Sequence, residues 1–125
     1  MKEPWRIFAG VYGFLGVGMG AFGAHALKSS FPEDLLRTFD TGSRYCLVHA
    51  VVLLGMSVIS KSETSSIIRR AGWFFVVGTA IFSGTLWMLV LSGQRWLGAI
   101  TPVGGVLLLF GWLSLIWSGI RKGEQ

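Results

Sequence analysis

Three stretches of this chain carry no Asp, Glu, Lys or Arg: Ile7 to Ala24, Ala71 to Gln94 and Trp96 to Ile120. A helix rises about 1.5 Å per residue, so about 20 such residues cross the hydrocarbon core of a bilayer. The second and third stretches reach that length alone; the first reaches it when taken as Trp5 to Leu27. A weaker run, Tyr45 to Ser60, must extend back to about Thr41 and so takes in Arg44. An Arg within a turn of a helix end snorkels to the headgroups, well below the roughly 2.5–3.5 kcal/mol cost at the bilayer centre. Composition agrees: 52% of residues are hydrophobic, 14% are charged and the mean hydropathy is +0.62, against roughly 25% charged in soluble domains. There are too few charges to cover a water-facing surface. The expected fold is therefore all-α: a single membrane domain over residues 1–125, a four-helix transmembrane bundle with spans at about 5–27, 41–60, 70–92 and 97–119.

The connecting segments carry the polar chemistry. Ser30-Phe31-Pro32-Glu33 fits a capping box with Pro in the first turn. Phe31, Leu35, Leu36 and Phe39 then share one helical face, which predicts a short helix lying in the interface plane between spans one and two. Lys61 to Arg70 reads as a Ser-rich polar loop, and Ser92 to Arg95 as a tight turn. Thr101-Pro102 reads as an N-cap and first helical residue, leaving Trp96 to Ile100 as a turn at the interface. With four spans, both termini and the middle loop share a side that holds Lys2, Arg6, Lys61, Arg69, Arg70, Arg121 and Lys122. The other side holds Lys28, Arg37, Arg44 and Arg95, with Glu33, Asp34 and Asp40 among them. The positive-inside rule places both termini in the cytoplasm. Trp5, Trp73 and Trp117 then fall near the inner interface and Trp96 near the outer one. The opening of the chain also resembles a secretory signal, with Lys2 and Arg6 before the apolar run and Ala24-His25-Ala26 after it. The run is long and Gly-rich for that purpose, so retention is expected.

Small residues mark the faces on which membrane helices approach one another. Span one offers Gly16, Gly20 and Ala24 at four-residue spacing, with Gly13 and Gly10 read as continuing that side. Span four offers Gly104, Gly111 and Ser118 seven apart, with Ser114 on the same stripe, and span three offers Gly72, Gly78 and Gly84. These stripes serve either packing within a small bundle or docking of a second copy or a larger membrane complex.

Several runs resemble a known family. They are Gly20-Ala21-Phe22-Gly23-Ala24-His25-Ala26-Leu27; Phe39, Thr41-Gly42 and Arg44-Tyr45 leading to His49-Ala50; Phe82-Ser83-Gly84-Thr85-Leu86; and Arg95-Trp96-Leu97-Gly98-Ala99-Ile100-Thr101-Pro102-Val103-Gly104-Gly105. Together they are similar to the domain-of-unknown-function family four-twenty-three. That family comprises small four-span inner-membrane proteins of bacteria and the animal transmembrane protein two-five-six. The resemblance covers nearly the whole chain. It implies the four-span architecture and a bacterial plasma membrane location, with the mitochondrial inner membrane as the alternative, and brings no established activity. Cys46 stands where the family more often carries a polar residue, which argues against a cysteine-based role.

Polar and ionisable groups at membrane depth are candidate functional groups because an unpaired one is costly. His25, Arg44, Tyr45, His49, Ser83, Thr85 and Thr101 all fall toward the expected outer side and form one candidate cluster. Three readings are open: a hydrogen-bond network that holds the bundle, a polar cavity for a small solute, ion or lipid headgroup, and a pair of axial haem ligands. Counted along their spans, His25 and His49 differ in depth by about 9 Å, awkward for one iron. No Cys, Asp or Glu lies nearby at metal-ligand spacing, so no metal site is expected. There is no nucleophile elbow, phosphate-binding Gly-rich loop or H-E-x-x-H, so no catalytic residues are assigned. Nucleic-acid binding is excluded by the apolar composition. The functional expectation is a non-catalytic accessory or scaffold protein without a cofactor, in contact with the lipid bilayer and possessing a face for itself or a larger complex. The alternatives are a carrier or binding protein using His25, Arg44 and His49, and a haem-binding redox subunit.

Overall fold

The structure is a computed structural model that describes residues 4–62 and 65–123. It contains four long helices, α1 (Trp5–His25), α2 (Glu33–Ser62), α3 (Ser66–Ser92) and α4 (Thr101–Gly123), with a short 3-10 turn over Arg95–Ala99 before α4. All four are long and apolar enough to cross a membrane. α1 pairs with α2 and α3 with α4, and the two pairs meet along α2 and α3. One end of the bundle gathers the start of α1, the end of α2, the start of α3 and the end of α4. The opposite end carries the α1–α2 connection and the Arg95–Ala99 turn.

The helix nearest the first turn departs from expectation. The segment predicted to lie in the interface plane is helical, but it runs without a break into span two, giving a 30-residue α2. At about 1.5 Å per residue such a helix is about 45 Å long, so it projects well past a hydrocarbon core of about 30 Å. Nothing between Phe39 and Tyr45 stops it. Thr38 and Thr41 satisfy their hydroxyls on the carbonyls of Asp34 (3.1 Å) and Arg37 (2.9 Å) four residues back, and ion pairs Glu33–Arg37 and Asp40–Arg44 run along the same helix across the junction. The capping box is also displaced. α2 opens at Glu33, with the Pro32 carbonyl accepting from the amides of Leu35 and Leu36, so Glu33 is not the third residue of the helix. The apolar face packs inward: Phe39 is fully buried, and Phe31, Leu35 and Leu36 lie partly buried against the core.

Most of the expected polar loop Lys61 to Arg70 is helix as well. Ser65 caps α3, its hydroxyl oxygen accepting from the Ile68 amide at 3.3 Å, so α3 begins before the apolar run does. Its other end closes at Gly93, whose φ of +76° takes the left-handed region that favours glycine. Thr101 opens α4 but does not cap it, since its hydroxyl is used elsewhere.

What holds the helices together is glycine against bulk. Gly16 receives Leu47, Gly23 receives the Phe39 ring and Gly111 receives the Phe75 ring; a side-chain carbon at any of these would come within 2.6–2.7 Å of that neighbour. Gly72 receives Trp5, fully buried and edge-on to Trp73 with ring centroids 5.2 Å apart. Trp5 is thus a core residue, not a member of the interfacial belt expected of it, while Trp73, Trp96 and Trp117 are exposed. The tightest point joins α3 and α4. A Cβ on Gly104 would sit 2.4 Å from the backbone nitrogen of Phe82 and 2.8 Å from the Gly78 carbonyl oxygen. Gly10, by contrast, points into open space and does not share the side of Gly16.

Because those neighbours are backbone atoms that cannot swing away, Gly104→Ala should force α3 and α4 apart and destabilise the protein by about 1–3 kcal/mol. Gly84→Ala, at a position with nothing within 4 Å, should be neutral or slightly stabilising through helix propensity. Unfolding titrations in mixed detergent micelles check both.

Candidate functional site

The polar residues of α2, α3 and α4 do not form one cluster. They divide into three small hydrogen-bonded groups. The first centres on His49, which is buried although it sits near the middle of α2. Gly111 makes room for the Phe75 ring between α3 and α4, and the next residue, Trp112, reaches α2. There the indole Nε1–H of Trp112 donates to Nε2 of His49 at 3.3 Å. An indole nitrogen only donates, so Nε2 must accept, and the ring proton sits on Nδ1. That N–H donates to the Tyr45 carbonyl one turn back, at 2.8 Å. Both ring nitrogens are engaged and the imidazole is the neutral Nδ1–H tautomer. Phe75 and Trp112 lie at centroid distances of 5.7 and 5.9 Å from it, and Tyr45 stacks on it at 6.2 Å.

The second group joins α2 to α3. Ser83 donates to the Gly42 carbonyl at 2.7 Å, and the Trp87 indole donates to the Ser43 hydroxyl at 3.1 Å, which bonds on to the Phe39 carbonyl. Gly42 makes room for this: a Cβ there would meet Trp87 Nε1 at 3.1 Å and the Ser83 carbonyl at 3.3 Å. The third group joins α3 to α4 through the Thr85 and Thr101 hydroxyls, 2.6 Å apart. Each hydroxyl has one proton, and Thr85 is 2.6 Å from the Ile81 carbonyl. Thr101 donating to Thr85, and Thr85 to Ile81, uses both. A further pair of bonds ties α1 in. The Tyr12 hydroxyl donates to the Val76 carbonyl of α3 at 2.5 Å, and the Cys46 thiol of α2 donates to the Tyr12 carbonyl at 3.3 Å.

His25 and Arg44 stand apart from all of these. His25 is exposed at the last turn of α1, and Arg44 is exposed and bonded to Asp40 at 2.6 Å. Of the seven residues singled out, Tyr45 and His49 meet each other and Thr85 meets Thr101. Ser83 sits in a separate contact, and His25 and Arg44 meet none of the others. Two axial ligands for a haem are therefore not brought together, since His25 lies at a helix end far from an already saturated His49. Among the described residues no group of three or more His, Cys, Asp or Glu is arranged to hold a metal. Of the packing residues, Gly16, Gly104 and Gly111 are buried in helix contacts and Gly20 lies on Ser43. Ala24 is exposed, and the Ser118 hydroxyl bonds back to the Leu115 carbonyl.

Trp112, Trp87 and Tyr12 are the partners that sequence reading passed over. One signal was available: each lies inside a span, where a Trp or Tyr must find a partner for its N–H or O–H. Two buried polar atoms among the described residues have no hydrogen-bond partner, Trp5 Nε1 and Thr79 Oγ1.

Four apolar helices joined by glycine contacts and by hydrogen bonds onto one another's backbones define a small multi-pass membrane protein. The family described as Protein of unknown function (DUF423) matches residues 19–105, and the chain belongs to it. A UPF0382 membrane protein of Staphylococcus aureus is 40% identical over 110 residues, covering 88% of this chain and 89% of its own. The UPF0382 inner membrane protein YgdD of Escherichia coli K12 is 37% identical over 92% of this chain and 88% of its own. YwdK of Bacillus subtilis, also a UPF0382 membrane protein, is 34% identical over 92% and 94%. No solved structure matches. The chain is a membrane protein of bacterial type, in a family of unknown function.

Trp112→Phe removes the donor to Nε2 and should cost roughly 0.6 kcal/mol, the average for a side-chain hydrogen bond between membrane helices. Nitrogen NMR of the labelled imidazole should report the Nδ1–H tautomer in the native protein and a shifted Nε2 resonance in the variant. An Nε2–H tautomer in the native protein would contradict the assignment.

Proposed function

We propose that the protein is a non-catalytic accessory or scaffold component of the bacterial plasma membrane, working without a cofactor and packing against a second copy or a larger complex. The end carrying Arg6, Lys61, Arg69, Arg70, Arg121 and Lys122 faces the cytoplasm under the positive-inside rule. The start of α1 and the end of α4 lie on that side.

One observation carries this reading. The outward face of α1 presents Ile7, Phe14 and Val17, exposed at 71%, 80% and 64%, and among them Gly10 and Gly18, where an added side chain meets nothing within 4 Å. A glycine inside a helix costs about 1 kcal/mol relative to alanine. At Gly16, Gly104 and Gly111 that cost is offset by close contacts inside the bundle; at Gly10 and Gly18 the chain itself provides no such return. An apolar helix face with glycines held open suits a neighbouring membrane helix. The polar groups support the same reading, since they tie helix to helix. The carrier reading loses its motive because His25, Arg44 and His49 lie apart.

The double variant Gly10→Leu with Gly18→Leu should fold with an unchanged or slightly higher unfolding midpoint, because both sites are open. The native protein should form cross-linked complexes in membranes under a chemical cross-linker, and the double variant should not. A native protein that cross-links to neither itself nor any partner would overturn the reading, and so would a variant that associates as before.

A further inference from the structure

A groove of about 500 Å³ opens between the first turns of α3 and the last turns of α4, within the roughly 300–1,000 Å³ typical of ligand sites. Its rim carries Arg70 and Arg121, and below them come Trp117, Leu113, Phe74 and Phe110. The order of these residues is set by helix geometry. On α4, Arg121, Trp117, Leu113 and Phe110 follow one another at steps of three or four, which places them down one face. Eleven residues separate Arg121 from Phe110, so at about 1.5 Å per residue the groove runs about 16 Å, half of a hydrocarbon core of about 30 Å. Phe74 and Phe110 close it at depth, with ring centroids 5.7 Å apart. The groove is thus one leaflet deep, charged at the headgroup level, aromatic at the interface and apolar beneath.

Among the described residues no carboxylate accompanies that charge. The described carboxylates, Glu33, Asp34 and Asp40, all belong to the first turns of α2 at the opposite end of the bundle. Neither Arg70 nor Arg121 has an ion pair among the described residues. The groove also borders the first turn of α3, the positive end of that helix dipole, at Ser66. At the other end of the molecule the cleft between α1 and α2 contains Lys28 and Arg37 together with Glu33 and Asp40, and there Arg37 is paired with Glu33. An anion is favoured in the first place and not in the second.

We propose that the α3–α4 groove binds one anionic phospholipid of the leaflet at the basic end, its phosphate between Arg70 and Arg121 and one acyl chain along Trp117, Leu113 and Phe110. A soluble phosphate would use the arginines but not the apolar floor, so both parts of the groove favour a lipid. Association is reversible and non-covalent. Arg70, Arg121 and Leu113 are all exposed in the free protein, so each can be changed without disturbing the core.

The test is native mass spectrometry of the full chain in mild detergent with equal amounts of phosphatidylglycerol and phosphatidylcholine. One bound phosphatidylglycerol is expected, preferred about 25-fold, from two basic residues each contributing a factor of about five near an anionic surface. Arg70→Gln with Arg121→Gln should remove that preference, whereas Arg6→Gln with Arg69→Gln, taking the same charge from the same end, should keep it. Equal loss in both pairs means a diffuse charge effect and overturns the site. Leu113→Trp, which fills the groove with both arginines intact, should lower occupancy at least fivefold; unchanged occupancy overturns the acyl-chain contact. Glycerol phosphate, which has the headgroup chemistry and no chain, should not displace the lipid at millimolar concentration. If it does, the site recognises a free phosphate and the lipid assignment fails.

Discussion

Lipid gives two apolar helices almost no reason to prefer each other over acyl chains, so everything in this protein depends on how closely the helix backbones can approach. Glycine sets that distance. At Gly104 the backbones of α3 and α4 come so near that a single added carbon would collide with the Phe82 amide nitrogen and the Gly78 carbonyl. At Gly16, Gly23, Gly72 and Gly111 the missing side chain is replaced by a large one from the facing helix, and dispersion contacts are gained on both sides. The bundle is an assembly of such notches and knobs, with Trp5, Phe39 and Phe75 as the fully buried aromatic knobs.

Once the backbones are close, the polar side chains have only one economical use. Tyr12, Ser83, Thr85 and His49 each reach a backbone carbonyl, and three of those bonds cross from one helix to another or link through a second hydroxyl. A carbonyl that already accepts within its own helix retains a second lone pair. These bonds therefore add to the helix ladders without breaking them. The same chemistry explains why His49 is a fixed structural element: its two nitrogens are held by Trp112 and Tyr45, from opposite sides. The polarity that a mid-membrane imidazole brings is absorbed by its neighbours.

That outside is asymmetric in two ways. The free face of α1 is apolar with open glycines, which suits a protein neighbour, whereas the α3–α4 face at the basic end combines guanidinium groups with an apolar groove, which suits a lipid. Both follow from how α2 and α3 occupy the centre. α1 and α4 are left at the margins, each with one side committed inward and the other to the membrane.

By itself the sequence determined the membrane class, the number of spans and the positions of the charged ends, because hydropathy and charge act through composition along the chain and need no partner. The paired stripe of Gly104 and Gly111 was legible for the same reason: small residues at helical spacing announce a close face. What only the tertiary structure decided was pairing. Depth along a helix is readable from residue count, but rotation about its axis relative to a neighbour is not, so His25 and Arg44 looked like companions of His49 and are not. Likewise Trp5 reads as an interfacial residue until Gly72 is placed opposite it, and the Phe31–Phe39 segment reads as a separate helix until its ion pairs are seen to run straight into α2. The placement of His25, Arg44 and Trp5 depends on an angle between helices, fixed by contacts between residues far apart in the chain, whereas the unbroken α2 rests on ion pairs four residues apart along its own length.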